Sequence, residues 1–439
     1  MKREPREITG EPKTNILFVG EAVTSAHVIR PLGLALGMDP DRYRVTFACD
    51  PRHERMVTNQ GVVFEPLPAL ASDVFMKRLD RGAALYTVPE LRACVQDDLR
   101  LMAKVKPDVI VGDFRISMGI ASELSDIPYL ALSNLHWSPN VRLPVPIPEH
   151  PLVDLFGLRI GGRIIARMIP FFFGLQSRGV NRVRRAYGLA PIAGRGAPEV
   201  YTHGTRTLYL DVPDLYGAQA LSETEHCIGP VPWIPPMDLP SWWNELPTER
   251  PVAWVSAGSS GDSGVMEEAA RALIHAGWTV MVATAKRMRA PTGAYAADFI
   301  PGTAAAERAD LVVCNGGSAQ TYQALACGKP VLGIPRNMDQ YYMMEGLVRR
   351  GAGRLLRIGQ ATGTAIRDCA QAMLKNQSLH REAERLAAAI RKGNPADELD
   401  RIVRRLPAAA PGHATASVPR HVTARITGNS ACVSAGSAV

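Results

Sequence analysis

A chain of 439 residues with a formal net charge of +8 is too long for one hydrophobic core and predicts two domains, each of about two hundred residues. Its 46% hydrophobic and 21% charged residues, without an apolar run of bilayer length, exclude both a disordered chain and a membrane-spanning one. The seven cysteines, at 49, 94, 227, 314, 327, 369 and 432, are odd in number and scattered without a Cys-x-x-Cys pair, which argues against a disulfide framework and a zinc site and fits a reducing compartment.

The first residues, Met1-Lys2-Arg3-Glu4-Pro5-Arg6-Glu7, lack the apolar core of an export signal, so a cytoplasmic protein is expected. Asn15-Ile16-Leu17-Phe18-Val19 reads as a buried strand ending at Gly20. Thr24-Ser25-Ala26-His27-Val28 then leads into a helix through Leu36, and a second strand runs from Tyr43 to Cys49. This is the opening βαβ unit of a Rossmann-like domain. Asp39-Pro40-Asp41 has the letters of a metal-binding Asp-x-Asp string, but its place between helix and strand makes it a turn.

His27 falls at the carboxyl edge of the first strand, where open α/β sheets bind ligands. A structural histidine is the plain alternative. A catalytic one needs a carboxylate to orient its ring, and the strand Val109-Ile110-Val111-Gly112-Asp113 ends in one. Capping a helix over residues 116–124 is the plain alternative for Asp113, while Asp108 lies at the opposite edge.

Between Leu155 and Gly188 the chain carries Arg159, Arg163, Arg167, Arg178, Arg182, Arg184 and Arg185 without an acid, interleaved with isoleucines and Phe171-Phe172-Phe173. The segment suits either a pair of helices over an acceptor pocket or a peripheral contact with the anionic inner membrane face. The charge does not follow base-reading motifs, so no nucleic-acid partner is expected. Gly229 to Arg250, rich in proline, reads as a linker between a domain of residues 1–228 and one of 251–406.

The second half repeats the strand and turn pattern. Val252-Ala253-Trp254-Val255-Ser256 runs into the turn Gly258-Ser259-Ser260-Gly261, followed by a helix from Val265 to Ala276 and an apolar strand at Thr279-Val280-Met281-Val282-Ala283. Phe299-Ile300-Pro301 is a short loop. A further strand, Leu311-Val312-Val313-Cys314, enters Asn315-Gly316-Gly317-Ser318-Ala319-Gln320-Thr321-Tyr322-Gln323-Ala324-Leu325, a glycine turn opening a helix, where free amides and the dipole favour phosphate. Gly328-Lys329 precedes proline and lacks the glycine five residues earlier, so it is no P-loop. A strand to Pro335 follows, then the polar pair Asp339-Gln340. Residues 378–405 read as helical, and 407–439 are too poor in large apolar residues to pack and are read as disordered.

The 315–340 region resembles the donor-binding motif of the nucleotide-sugar glycosyltransferases with the GT-B fold, the UDP-glycosyltransferase superfamily that includes macrolide glycosyltransferases. Their pattern is His-Gly-Gly-x-Gly-Thr-x-x-Glu-Ala-Leu, a Gly-x-Pro strand and a closing Asp-Gln. This chain keeps the glycines, Ala324-Leu325 and Asp339-Gln340, and departs at Asn315, Ala319, Gln320 and Gln323. Ala26-His27-Val28 likewise resembles the family's Gly-His-Val-x-Pro, with Ala26 in place of the glycine.

The resemblance implies an α/β protein of two Rossmann-like parallel-sheet domains facing a cleft, acceptor on the first and nucleotide-sugar on the second. It implies an inverting, metal-independent transfer of a hexose, UDP-linked by expectation, to a hydroxyl of a small, fairly apolar acceptor. The nucleotide-sugar is a co-substrate, and no cofactor is expected. His27 would be the general base, oriented by Asp113. Amides around Gly258, Ser259, Ser260, Gly316, Gly317 and Ser318, with Asn315 and Gln320, would hold the diphosphate. The backbone at Ile300 would read the base, Gln323 the ribose, and Asp339 and Gln340 the sugar hydroxyls. The departures leave two alternatives: a catalytically silent homologue acting as a partner protein, or another nucleotide-sugar enzyme such as an epimerase.

Overall fold

Short apolar strands alternating with amphipathic helices build two all-parallel sheets. The computed structural model describes residues 13–407, apart from 195, 218, 219 and 248. The expected disordered tail, from residue 408 on, and the charged first residues therefore lie outside the described residues.

In the first sheet β1 (Thr14–Gly20), β2 (Tyr43–Cys49), β3 (Val63–Pro66), β4 (Val109–Asp113), β5 (Tyr129–Ser133), β6 (Arg206–Tyr209) and β7 (Glu225–Cys227) pair in the order 3-2-1-4-5-6-7. The second contains β8 (Val252–Ser256), β9 (Thr279–Ala283), β10 (Tyr295–Ala297), β11 (Leu311–Cys314), β12 (Val331–Gly333) and β13 (Gly353–Leu355), ordered 10-9-8-11-12-13. Helices cover both faces, which is why Ile16 through Val19 are wholly buried instead of alternating. Each sheet reverses strand order once, between β1 and β4 and between β8 and β11. Those two places open the crevices in which such sheets bind ligands.

The helix Ala26–Leu36 follows β1, and Ser318–Ala326 follows β11. Asp39-Pro40-Asp41 lies in the turn before β2. The basic segment divides unevenly. Pro151–Ala186 consists of two helices that meet at Gly157, whose φ of 70° is left-handed; the first is short, and the second runs from 158 to 186 and holds nearly all of the basic segment.

The halves are not separate cores. Tyr209, Val212 and Tyr216 pack in one cluster with Trp254, Tyr322 and Met343. The last helix, Pro395–Val403, counted with the second half in the sequence reading, packs Leu399 and Val403 against Leu32 and Phe47 of the first sheet's core. Tyr43 donates its hydroxyl to Asp400 at 2.7 Å. Among the described residues no helix is long and apolar enough to cross a membrane.

Candidate active site

Both crossover loops of interest leave their sheets at the strand-order reversals. Gly20 at the end of β1 is level with Asp113 at the end of β4, and Ser256 at the end of β8 is level with Cys314 at the end of β11. The chemistry-bearing residues follow those four strand ends.

His27 sits in the first turn of Ala26–Leu36, with Nδ1 2.7 Å from Asp113 Oδ1. An ionised carboxylate only accepts, so Nδ1 carries a proton, and in the neutral ring Nε2 holds the lone pair. Nε2 has no hydrogen-bond partner among the described residues, and the side chain is 20% exposed. Asp113 caps nothing: the helix Ile116–Ser125 starts without a side-chain cap. Phe114, directly after it, adopts φ 59°, a left-handed conformation that costs a bulky residue energy, and stacks on His27 at 4.8 Å with 15° between the planes. The imidazole is thus fixed by a carboxylate at one edge and an aromatic face on one side.

Sequence reasoning missed Arg30. It lies one turn after His27 on the same helix face, is 4% exposed, and forks onto Asp113 with Nε to Oδ2 and Nη2 to Oδ1, both at 2.9 Å. Burial works against the ionised form of Asp113, but the charges of Arg30 and His27 and their hydrogen bonds hold its carboxyl below the usual range. Nη1 of Arg30 donates to Asn134 Oδ1 at 2.8 Å and reaches Ser318 Oγ at 3.4 Å. A signal existed: in Gly-His-Val-x-Pro the proline stands three residues after the histidine, whereas here Arg30 takes that place and Pro31 follows. A second buried network was also unforeseen, Arg115 pairing Glu21 at 2.7 Å and Asp98 at 2.8 Å.

On the other side, Gly316 has φ 74°, and a Cβ there would lie 2.3 Å from Met344 Cγ, so only glycine fits this turn. Gly317 occupies the N-cap of Ser318–Ala326, leaving the first-turn amides, including Ser318 and Gln320, without helical acceptors. Gly258 also has φ 57°, with Gln320 Oε1 3.0 Å from where its Cβ would be. That oxygen is buried without a partner among the described residues. Ser259 is exposed beside it.

Asn315 and Gln340 are placed differently from the expectation. Asn315 is 3% exposed; its amide donates to Ala257 O at 3.1 Å and Ser260 Oγ at 3.4 Å, and its oxygen accepts from Gly317 N at 2.9 Å. Both ends of the side chain are spent on joining the two turns. Gln340 is 2% exposed; Oε1 accepts from Arg336 N at 2.8 Å and Nε2 donates to Ser260 Oγ at 2.9 Å. It closes a capping box with Asn337 at the start of Met338–Arg350, which leaves one Nε2 hydrogen outside these bonds. The reason is common to both: short polar side chains beside a turn find backbone partners first.

Asp339 does remain accessible. Its Oδ1 accepts from His136 Nε2 and Trp137 Nε1, each at 2.8 Å, while the side chain stays 41% exposed. Burial again opposes ionisation, but the His136 hydrogen bond and charge, with Trp137 and Arg30, hold the carboxyl well below its usual range. Gln323, 6% exposed, lies against Gly302, where a Cβ would meet its Oε1 at 2.1 Å; Ile300, also 6% exposed, is two residues away on the same loop. Asn134 and the Tyr322 hydroxyl both donate to Asp211, at 3.3 and 2.7 Å, tying Ser318–Ala326 to the first half. An aromatic wall completes the first-half side: Phe75 and Tyr201 flank Phe114, and Trp137 packs on Tyr201 and on Phe173 of the long helix.

No family model matches the chain. It is 39% identical over 380 residues to the PGL/p-HBAD biosynthesis glycosyltransferase of Mycobacterium tuberculosis, covering 86% of this chain and 89% of that protein. The PGL/p-HBAD biosynthesis rhamnosyltransferase of Mycobacterium bovis shows the same identity, with 86% and 84% covered. A Mycobacterium bovis relative described as an inactive PGL/p-HBAD biosynthesis glycosyltransferase is 36% identical over 261 residues, 60% of this chain and 71% of its own. Among solved structures, the kitacinnamycin glycotransferase superposes with TM-score 0.69 at 19% identity, over 90% of this chain and all of that one. The spinosyn rhamnosyltransferase SpnG, also solved with thymidine diphosphate, gives 0.66 at 18% identity, over 89% of this chain and all of its own. At such identities the structures speak for the fold.

Proposed function

The chain belongs to the family of PGL/p-HBAD biosynthesis glycosyltransferases and has the GT-B fold, and from that premise we propose that it performs an inverting, metal-independent transfer of a hexose from a nucleoside-diphosphate sugar to a hydroxyl of a small, fairly apolar acceptor. Sugar transfer is the activity of the family; the mechanism, donor and acceptor are our reading.

The observation that carries it is the contact of His27 with Asp113, linked through Arg30 to Ser318 at the mouth of the second sheet. In this reading His27 Nε2 takes the proton of the acceptor hydroxyl as its oxygen bonds to the anomeric carbon. The bond from that carbon to the diphosphate oxygen breaks, the nucleoside diphosphate leaves, and Asp113 steadies the imidazolium. First-turn amides at Ser318 to Gln320 and those around Gly258 to Ser260 stabilise the leaving charge. Asn315 and Gln340 act by holding the two turns together, and Asp339 Oδ2 accepts from a sugar hydroxyl. Phe75, Phe114, Tyr201 and Trp137 suit an apolar acceptor. The neighbour solved with thymidine diphosphate adds dTDP to UDP as a candidate nucleotide.

The test is a thermal-shift screen against UDP- and dTDP-hexoses, followed by mass spectrometry of hydroxylated acceptors and the anomeric configuration of any product. Retained configuration would sink the His27 mechanism. A silent homologue is the second reading, favoured by the inactive relative. Donor binding without transfer or hydrolysis, under any acceptor, would decide for it.

A further inference from the structure

The helix 158–186 has two faces with different surroundings. Inward, Val153, Ile165 and Ile169 form a small buried cluster with Phe173 and Met338, the residue beside Asp339. Outward, Ile160 is 59% exposed and Phe171 55%, with Ile164 between them on the same face. At the Gly157 break, Leu155 is 73% exposed.

Beside this apolar stripe runs a basic one. Arg159, Arg163 and Arg167 repeat at four-residue spacing, all exposed, and among the described residues none forms an ion pair. Arg178 lies over the Phe171 ring at 5.9 Å. From Leu155 to Gly188 there is no acid to neutralise them.

We propose that this face of the helix docks the protein onto an anionic lipid bilayer. The juxtaposition selects that occupant. Isolated apolar side chains between unpaired guanidinium groups match the boundary where acyl chains meet phosphate headgroups, because arginine reaches up to phosphate while isoleucine and phenylalanine sink. A protein partner with a dry interface would have to bury those guanidinium groups, and an acidic one would leave the apolar stripe uncovered. Docked in this way, the helix lies between the bilayer and Met338 beside Asp339. The docking itself does not depend on the donor or on the transfer mechanism.

The test is sedimentation of the full chain with vesicles of phosphatidylcholine alone and of phosphatidylcholine mixed with phosphatidylglycerol, at low and high salt. Wild type should partition onto the mixed vesicles only, and less so as salt rises. Arg159→Glu, Arg163→Glu and Arg167→Glu together should lower the partition coefficient by at least about 100-fold, the usual contribution of three basic residues near an anionic surface, with repulsion of the new carboxylates added to it. Ile160→Ser with Phe171→Ser should weaken binding at both salt concentrations, with the thermal midpoint of either variant unchanged. Failure to bind mixed vesicles overturns the proposal, as does equal binding by wild type and the charge-reversed variant. So does a concentration-dependent dimer in light scattering that Ile160→Ser with Phe171→Ser dissolves, since the face would then serve a second copy of the chain.

Discussion

The two strand-order reversals solve one problem in different currencies. At β1 and β4 the ring of His27 is fixed by full charges, with Asp113 gripped by the Arg30 fork. At β8 and β11 the equivalent turns are fixed by neutral amides and a hydroxyl, Asn315, Gln340 and Ser260 bonding one another. In the proposed transfer His27 gains and loses a proton, and such a group needs a partner of fixed charge. Helix amides that only receive an anion need no such partner, and neutral cross-links keep the place for negative charge free of competing side-chain charge.

The sharpest way to break this comparison is at the charged side. His27→Ala should lower turnover by roughly two to four orders of magnitude while the dissociation constant for donor, read by calorimetry, stays near wild type. Near-normal turnover would remove His27 from the chemistry. Next comes Arg30→Leu, which leaves the Asp113 carboxylate buried without its counter-charge and should cost about 3–5 kcal/mol of stability in denaturant titration. Adding Asp113→Asn should recover much of that stability but none of the activity; no recovery would mean that Arg30 acts mainly through Asn134 or Ser318.

The neutral side should respond more gently. Asn315→Ala should weaken donor binding by about 1–3 kcal/mol, the cost of unmade hydrogen bonds, and should weaken nucleoside binding equally because the turn itself loosens. Weakening confined to phosphate-bearing ligands would restore Asn315 as a direct phosphate donor.

Glu225 extends the comparison to a charge held by neutral donors. Burial would raise its pKa, but hydrogen bonds from Ser138, Tyr209, the Ser222 amide and Asn140 lower it from 4.5 to about 2. A depressed carboxylate contributes stability that is present above 4.5 and lost as pH falls through about 2. Glu225→Gln should therefore flatten the acid loss of stability in that window, by on the order of 2 kcal/mol. An unchanged acid profile would remove Glu225 from it. The smallest effect is expected from chelation: with amides serving the leaving group, EDTA should leave turnover unchanged, and loss restored by magnesium would refute that account.

What was legible in the sequence were features with a local signature. β2 and β9 match their apolar runs residue for residue, because period and turn chemistry are written in neighbouring residues. That His27 and Asp113 lie within 2.7 Å of each other was legible because strand ends on one sheet edge are predictable neighbours. Arg30 was missed because its partners lie 83, 104 and 288 residues away. Phe114 was missed because nothing local announces a left-handed phenylalanine. The bonds of Asn315 to Ala257, Ser260 and Gly317 were not legible, since a motif places a residue in a turn without saying which neighbours reach it first.

The return of Pro395–Val403 to the first sheet bears on how the protein is made. Tyr43 and Asp400 are 357 residues apart, so during synthesis the surface that Leu399 and Val403 will cover stays uncovered until nearly all described residues have been translated. Domains commonly complete themselves in order as they leave the ribosome. Here the first half waits for the last helix, and a nascent chain paused before it presents Leu32 and its neighbours to chaperones. The same dependence makes any truncation reaching back to Pro395 a defect of the first sheet's core, some three hundred and seventy residues from His27 along the chain.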